Sequence, residues 1–146
     1  MWDVKKILVP TDGSEAAKFA VDVALDIAKH KGAEIVTLFV VDVPHILLAH
    51  RVEEIIRKDV GQPAVNEVVI AAEKEGLKVK ALIEEGHAAD AILRVAEKEN
   101  IDLIVMGTRG ASVMKKLLLG LGSIASAVIA HAHCHVLAVR EKKPGG

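Results

Sequence analysis

The chain has few of the residues on which several classes of protein depend. Its 146 residues include a single cysteine, Cys134, only three aromatic side chains (Trp2, Phe19 and Phe39) and no tyrosine. A lone cysteine forms no intrachain disulfide, which is typical of an intracellular protein. So few aromatic rings leave no stacking platform for single-stranded nucleic acid. Nineteen basic and twenty acidic residues give a formal net charge of −1, so the charge does not favour DNA or RNA as a partner.

Long apolar segments suited to targeting or to membrane insertion are also absent. The basic N-terminus is followed only by the short run Ile7–Val9, which is too short for a signal peptide. Residues 117–139 carry no formal charge, but they contain three histidines as well as glycine and serine turn signals, so we predict no membrane span. The sequence therefore predicts one cytoplasmic domain over residues 1–140 and a disordered polar tail over residues 141–146.

Apolar runs of strand length alternate with longer amphipathic stretches. About half of the chain (51%) is hydrophobic, mostly Val, Ile, Leu and Ala, which suits buried parallel strands. We predict strands at 5–10, 34–41, 78–85, 102–106 and 134–140. We predict helices at 15–31 with Ser14 as N-cap, at 46–75 with a break at Gly61-Gln-Pro63, at 88–100, and after an N-cap at Ser123. The predicted inner face of the first helix consists of Ala16, Phe19, Ala20, Val23 and Ile27.

This alternation requires right-handed crossovers and a parallel sheet covered on both faces. We therefore predict a three-layer α/β sandwich with a five-stranded parallel sheet in the order 3-2-1-4-5. In that order the first and fourth strands are neighbours at the topological switch point, where ligands bind. The segments 10–14 and 107–123 follow those two strands.

The second of these segments is rich in glycine. Gly107-Thr-Arg-Gly110 follows the fourth strand, and Gly120-Leu-Gly122-Ser123 precedes the last helix. Glycines let the main chain approach a phosphate, and a helix N-terminus offers it free N–H groups. Arg109 adds a positive charge. Alternatively, these are ordinary turn glycines beside a solvated arginine, since G-x-x-G alone is a weak signal.

Asp12 has two interpretations. Its carboxylate could hydrogen-bond a ribose or hold a Mg²⁺ ion that bridges phosphates. Alternatively, Asp12-Gly13 only makes the turn into the helix capped by Ser14.

The histidine-rich segment His131–His135 does not predict a metal site. On a strand, His133 and His135 share one face while Cys134 points to the other, so the three side chains do not converge on one ion. We expect His131 to lie at a helix C-terminus, where the helix dipole favours it.

Three blocks of the sequence resemble the universal stress protein family. They are 4–14 (VKKILVPTDGS), 102–110 (DLIVMGTRG) and 122–130 (GSIASAVIA), and 136–139 (VLAV) resembles the family's last strand. The resemblance implies a flavodoxin-like fold and a homodimer formed through the last strand. In the nucleotide-binding branch of the family, a loop of the form G-x2-G-x9-G, followed by Ser or Thr, holds ATP. Here Gly120 has that spacing but precedes Leu121, whereas Gly122-Ser123 fits the start of the last helix and implies two extra loop residues.

The resemblance therefore implies a stress-response regulator that binds ATP or a related nucleotide (ADP or AMP), with Mg²⁺. As argued from charge, aromatic content and apolar segments, we expect no nucleic-acid or membrane partner. No P-loop, nucleophile elbow or His-Glu-x-x-His motif is present, so no efficient enzyme is predicted. A nucleotide-free dimeric interaction protein and a slow ATPase remain the alternatives. The residues expected at the nucleotide are Pro10, Thr11, Asp12, Val40, Val41, Met106, Gly107, Arg109, Gly110, Gly120, Gly122, Ser123 and Ile124.

Overall fold

The computed structural model describes residues 2–43, 49–108 and 122–141. Within these ranges the strands are β1 (Lys6–Pro10), β2 (Glu34–Val41), β3 (Val79–Glu85), β4 (Leu103–Gly107) and β5 (His135–Val139). The helices are α1 (Glu15–Lys31), α2 (Ala49–Ile56), α3 (Gln62–Lys74), α4 (Ala88–Lys98) and α5 (Ser123–His131), and a π turn (Arg57–Gly61) joins α2 to α3. The predicted tail from residue 142 onward lies outside the described residues.

The five strands form one parallel sheet in the order β3-β2-β1-β4-β5, which confirms the predicted topology. Helices α1 and α3 cover one face of the sheet, and α4 and α5 cover the other. The strands alternate between the two: Ile7 and Val9 point toward α1 and α3, whereas Leu8 points toward α4 and α5. Fully burying a side chain of this size contributes roughly 1.5–3 kcal/mol, so both faces of the sheet contribute to stability.

Helix α1 begins as predicted after Ser14, whose hydroxyl accepts a hydrogen bond from the Ala17 amide at 3.2 Å. Its buried stripe is rich in alanine and includes Ala17, Ala20, Ala24 and Ala28. Small side chains let the helix lie close to the sheet. The predicted inner face is therefore wrong in part, because its larger members, Phe19, Val23 and Ile27, are only half-buried at the edges of this stripe.

Two helix boundaries differ from the predictions. At Gly61-Gln-Pro63 the helical path continues through the π turn, and Pro63 lies in the first turn of α3. Ser123 was expected to be the N-cap of the last helix. Instead, Gly122 is the N-cap: its backbone is extended (φ −58°, ψ 148°) and its carbonyl accepts the first helical bond from Ser126.

No helix in the described ranges is long and apolar enough to cross a membrane.

Candidate functional site

The crevice expected at the topological switch point falls between the C-terminal halves of β1 and β4. Strand β1 pairs with β2 along its whole length, from Lys6 to Pro10, and β4 pairs with β5 from Leu103 to Gly107. By contrast, β1 and β4 pair only at Ile7–Leu103 and Leu8–Ile104. Both strands continue past these pairs, so their C-terminal halves do not pair with each other at the edge where chain order reverses. This is where ligands bind in open α/β sheets.

The loop after β1 forms one wall of the crevice and is tightly hydrogen-bonded. The Thr11 amide donates to the carbonyl of Leu38 at 2.9 Å. The Gly13 amide donates to Oγ1 of Thr11 at 3.2 Å, and the Ser14 amide donates to Oδ1 of Asp12 at 2.9 Å. Gly13 has φ +81°, a conformation that side chains disfavour. These bonds fix the loop before any ligand arrives.

Asp12 stabilises the turn that leads into α1, which confirms one of the two interpretations given for it above. Its Oδ1 accepts the Ser14 amide, and the residue is exposed to solvent beside the crevice. An exposed carboxylate held in one orientation also retains the capacity to accept a ribose hydroxyl or to ligate Mg²⁺. The ligand role stays a prediction.

The segment after β4 forms the opposite wall. Gly107 pairs with Val139, and the next amide, that of Thr108, donates to the carbonyl of Val139 at 3.1 Å. The carbonyl of Thr108 accepts the Gly122 amide at 2.6 Å. The chain therefore leaves the sheet at Thr108 and returns to the same point at Gly122. The predicted site residues Arg109, Gly110 and Gly120 lie between them, outside the described residues.

Helix α5 starts at this edge with Gly122, which has no side chain, as its N-cap. Among the described residues no side chain caps it, and the first residues, Ser123 and Ile124, are half-buried. Two other helices that begin at the same edge are capped: α1 by Ser14, and α4 by Asp42, whose Oδ2 accepts the Ala88 amide at 3.1 Å. Unsatisfied N–H groups and the positive end of the helix dipole favour an anion, so α5 is the best-suited of the three.

Side chains at the ends of β2 and β4 line the sheet beside the crevice. Val40 and Met106 both pack on the face covered by α4 and α5, and Val40 is half-buried. Val41 points to the other face, where it is only 1% exposed, and its carbonyl accepts the Gly86 amide. Of the two predicted valines, Val40 therefore offers the more accessible side chain. Pro10, the last residue of β1, is half-buried.

The histidine and cysteine residues of the segment 131–135 lie at the opposite edge of the sheet from the crevice. His131 is the last residue of α5, as predicted. An open cleft of about 420 Å³ includes His133, Cys134 and His135 in its lining, and the ring of Trp2 meets that of His135 edge-on at 5.7 Å. Burial raises the pKa of the Cys134 thiol, which disfavours its reactive thiolate. Within the described ranges no three His, Cys, Asp or Glu residues form a group able to hold a metal.

Sequence reasoning missed Thr108 and Asp42. Thr108 is an ordinary residue between two better signals, and its contribution is a backbone carbonyl. Asp42 caps a helix 46 residues away in sequence, a pairing that only the folded sheet brings together. Its position directly after the second strand was the one signal in the sequence.

The element order and the sheet topology define a flavodoxin-like α/β protein whose topological switch point lies between β1 and β4. The sequence profile of the universal stress protein family matches residues 3–140, and the chain belongs to this family.

Similar proteins cover nearly the whole chain. A universal stress protein from Methanocaldococcus jannaschii is 43% identical over 95% of this chain and 84% of its own length. The solved structure of the universal stress protein UspA from Lactobacillus plantarum is 28% identical, with a TM-score of 0.81 over 94% of this chain and 99% of that chain.

Two more distant structures of the same fold contain adenine nucleotides. One is a universal stress protein in complex with cAMP, 24% identical with a TM-score of 0.71 over 93% of this chain and 97% of that chain. The other, from Arabidopsis thaliana, has AMP bound and is 20% identical, with a TM-score of 0.72 over 94% of this chain and 92% of that chain. At these identities the likeness extends to the fold alone.

Proposed function

We propose that this protein binds ATP or a related adenine nucleotide in the crevice between β1 and β4 and acts in the cytoplasm as a nucleotide-dependent regulator of a stress response. The observation that carries the proposal is that these two strands do not pair beyond Leu8 and Ile104. The unpaired ends lie between a fixed polar loop on one side and, on the other, a helix N-terminus that no described side chain caps.

The two walls suit the two ends of a nucleotide. Pro10, Thr11, Val40 and Met106 offer apolar and backbone surface for the base, and resemblance to the family adds Val41. Asp12 offers a carboxylate for the ribose or for Mg²⁺, an ion that prefers oxygen ligands and bridges phosphates. The phosphates would lie toward the start of α5, where backbone N–H groups and the helix dipole favour negative charge. Residues assigned to that end are Gly107, Arg109, Gly110, Gly120, Gly122, Ser123 and Ile124.

The spacing of the glycine loop bears on which nucleotide is held. Measured from Gly110, the Gly122-Ser123 pair stands two residues later than the family's ATP-binding pattern places it. The two additional residues lengthen the part of the loop that would contact the terminal phosphates. The base and ribose are held from the β1 side and are independent of that change, so ADP and AMP are ligands to test beside ATP.

We further propose that two copies of the chain associate through β5. This strand pairs with β4 on one side and has no strand partner on the other among the described residues. Large apolar side chains are exposed there, with Leu137 at 38% and Ile129 on the adjacent helix at 47%. An open apolar edge favours association with a second copy.

The proposal is tested first by identifying what the purified protein carries. Protein expressed in cells would be denatured, and the released small molecules identified by mass spectrometry. Titration calorimetry with ATP, ADP and AMP, each with and without Mg²⁺, would follow. An adenine nucleotide in the extract, or a saturable isotherm, supports the proposal. If the extract contains no nucleotide and the titrations show no binding, the proposal is contradicted and the nucleotide-free interaction protein is favoured. Release of phosphate during the titration would favour the slow ATPase.

A matched pair of variants links binding to the glycine loop. Gly110→Val adds bulk where the main chain is proposed to approach phosphate, so binding should be lost. Ala81→Val places the same side chain at an exposed position of β3, far from the crevice, and should bind as the wild type does. Equal affinity in both variants would remove the loop from the proposed site.

A further inference from the structure

A proline stands in the central strand of the sheet. Strand β1 lies between β2 and β4, and its last residue is Pro10. Because proline has no backbone N–H, it is found within sheets almost only on edge strands, at the first residue of a strand or at bulges. In a central strand its missing N–H removes a hydrogen bond to one of the two neighbouring strands. The register of the sheet shows which neighbour this is.

Pro10 costs no hydrogen bond to β2. Successive residues of a strand direct their backbone N–H and C=O groups to opposite neighbours. The Glu34 amide donates to the carbonyl of Lys5 at 2.8 Å. The Thr11 amide donates to the carbonyl of Leu38 at 2.9 Å. The odd-numbered residues along this strand therefore face β2, and the pairing of the two strands continues to Pro10.

The same reasoning shows which residues of β4 face β1. Gly107 pairs with Val139 of β5, and the Thr108 amide donates to the carbonyl of Val139 at 3.1 Å. In a parallel ladder this pattern directs the backbone groups of Thr108 and Met106 toward β5. The residues that alternate with them, Gly107 and Val105, therefore direct theirs toward β1.

The missing N–H of Pro10 faces β4. Pro10 and Leu8 are even-numbered, so their backbone groups point away from β2 and toward β4. The last pair between β1 and β4 is Leu8–Ile104. The next step of the ladder requires the N–H of residue 10 to donate to the carbonyl of Val105. Pro10 cannot supply this donor, and the pairing of β1 with β4 ends here, whereas β4 pairs with β5 as far as Gly107.

We infer that Pro10 is a positioning residue for the nucleotide site: by lacking an N–H toward β4, it ends the β1–β4 ladder early and keeps the C-terminal halves of the two strands unpaired. This role belongs to its backbone and is additional to the apolar surface that its ring offers the base. The consequence for nucleotide binding rests on the proposed function. The consequence for the ladder does not depend on any ligand.

The test is to give residue 10 an N–H, with the substitutions Pro10→Ala and Pro10→Val. Val105 is fully buried, and a buried carbonyl strongly favours a hydrogen bond, so we expect the new amide to donate to it. An NMR scalar coupling across the hydrogen bond, from the nitrogen of residue 10 to the carbonyl carbon of Val105, detects this bond directly. The new amide should also exchange slowly with solvent.

Nucleotide binding should weaken in both variants. Entry into the crevice would require the new bond to break, so the Kd should rise about five- to tenfold, the equivalent of one net hydrogen bond. Valine keeps apolar bulk at this position, whereas alanine does not. A rise in Kd with alanine alone would therefore reflect lost contact with the base and would overturn the inference.

The NMR measurement decides the backbone role without any ligand. A residue-10 amide that exchanges rapidly and shows no coupling to Val105 would mean that the missing N–H is not what ends the ladder. A coupling with an unchanged Kd would show that Pro10 does not position the site. If the wild type binds no nucleotide, the proposed function fails, while the coupling still shows whether Pro10 ends the ladder. If Pro10→Ala does not fold, Pro10→Val carries the test, because valine favours strands.

A second proline provides the matched control. Pro63 is exposed in the first turn of α3, and Pro63→Ala frees the unfolded chain in the same way as Pro10→Ala does. It leaves both strands of the crevice unchanged, so the Kd and the resonances of Val105 should stay at their wild-type values. An equal rise in Kd in Pro63→Ala would assign the effect to the loss of a proline in general and would refute a specific role for Pro10.

Discussion

The carboxylate of Asp42 accepts a hydrogen bond from the amide of Ala88 at 3.1 Å. Asp42 follows β2, and Ala88 is the first residue of α4, so the end of one strand caps a helix that starts after another. The N-terminus of α4 therefore already has a negative partner. Among α1, α4 and α5, this leaves α5, for which no described side chain is a cap, as the helix with the stronger demand for an anion.

Substitutions of Asp12 separate its role in the turn from its proposed role at the ligand. Asparagine keeps a side-chain oxygen that can accept the Ser14 amide but lacks the negative charge. Asp12→Asn should therefore fold with a free energy of unfolding within about 0.5 kcal/mol of the wild type, while the Mg²⁺-dependent part of nucleotide affinity falls. Calorimetry with and without Mg²⁺ measures this, and equal dependence on Mg²⁺ in both proteins would exclude Asp12 as a metal ligand.

The cap of α1 makes a prediction about stability. Ser14→Ala removes the oxygen that accepts the Ala17 amide and should lower the free energy of unfolding by about 1 kcal/mol. Ser126→Ala is the matched control, because Ser126 is exposed within α5 and alanine is the better helix former. Urea unfolding followed by circular dichroism compares the two. A loss of equal size in both variants would show that the cap is not the cause.

The Lys80–Glu99 pair predicts a dependence on pH. The ammonium of Lys80, 2.6 Å from the carboxylate, holds the pKa of Glu99 below its ordinary value of 4.5. The stabilisation is therefore present above about pH 4.5 and is lost as the pH falls through the lower pKa of the folded state. Glu99→Gln should lower the unfolding free energy at pH 7 by roughly 0.2–1 kcal/mol, the range for partly exposed pairs.

Urea unfolding measured from pH 7 down to pH 3 follows the difference in unfolding free energy between the wild type and Glu99→Gln. This difference should become smaller as the pH approaches 3. Glu97→Gln, an exposed neighbour in α4, should show little difference at any pH. A gap between wild type and Glu99→Gln that stays constant down to pH 3 would contradict an ionic origin.

The proposed dimer predicts opposite outcomes at the two edges of the sheet. Leu137→Lys places a charge on the exposed apolar edge of β5 and should convert a two-chain particle into a single chain in sedimentation equilibrium. Ala81→Lys makes the same kind of change on β3 and should leave the mass unchanged. Wild-type protein that sediments as one chain at micromolar concentration would refute the dimer.

Much of the fold follows from the sequence because the apolar runs are short, distinct and separated by clear turn signals. Pro10, Gly32 and Gly86 each stand within a residue or two of a boundary, and parallel strands with right-handed crossovers leave few topologies. The inner face of α1 was harder to predict, because alanines are weakly apolar and their burial depends on how closely the helix approaches the sheet.

The candidate site was predictable only as far as local signals reach. The Asp12 turn and the glycines after β4 are visible in the sequence. The capping of Ala88 by Asp42 joins residues far apart in the chain, and no periodicity or spacing encodes it. The Gly122 N-cap was missed because serine is the commoner capping residue, and it stands one position later.

The hydrogen bond between Gly122 and Thr108 has a consequence for how this family can change over time. This bond joins the two ends of the segment between Thr108 and Gly122. The number of residues in that segment can therefore vary without moving either β4 or α5. Lengthening the Gly110–Gly122 spacing by two residues costs only roughly 0.2 kcal/mol in closure entropy. Insertion or deletion at this one place can therefore change the loop while the elements on either side keep their positions.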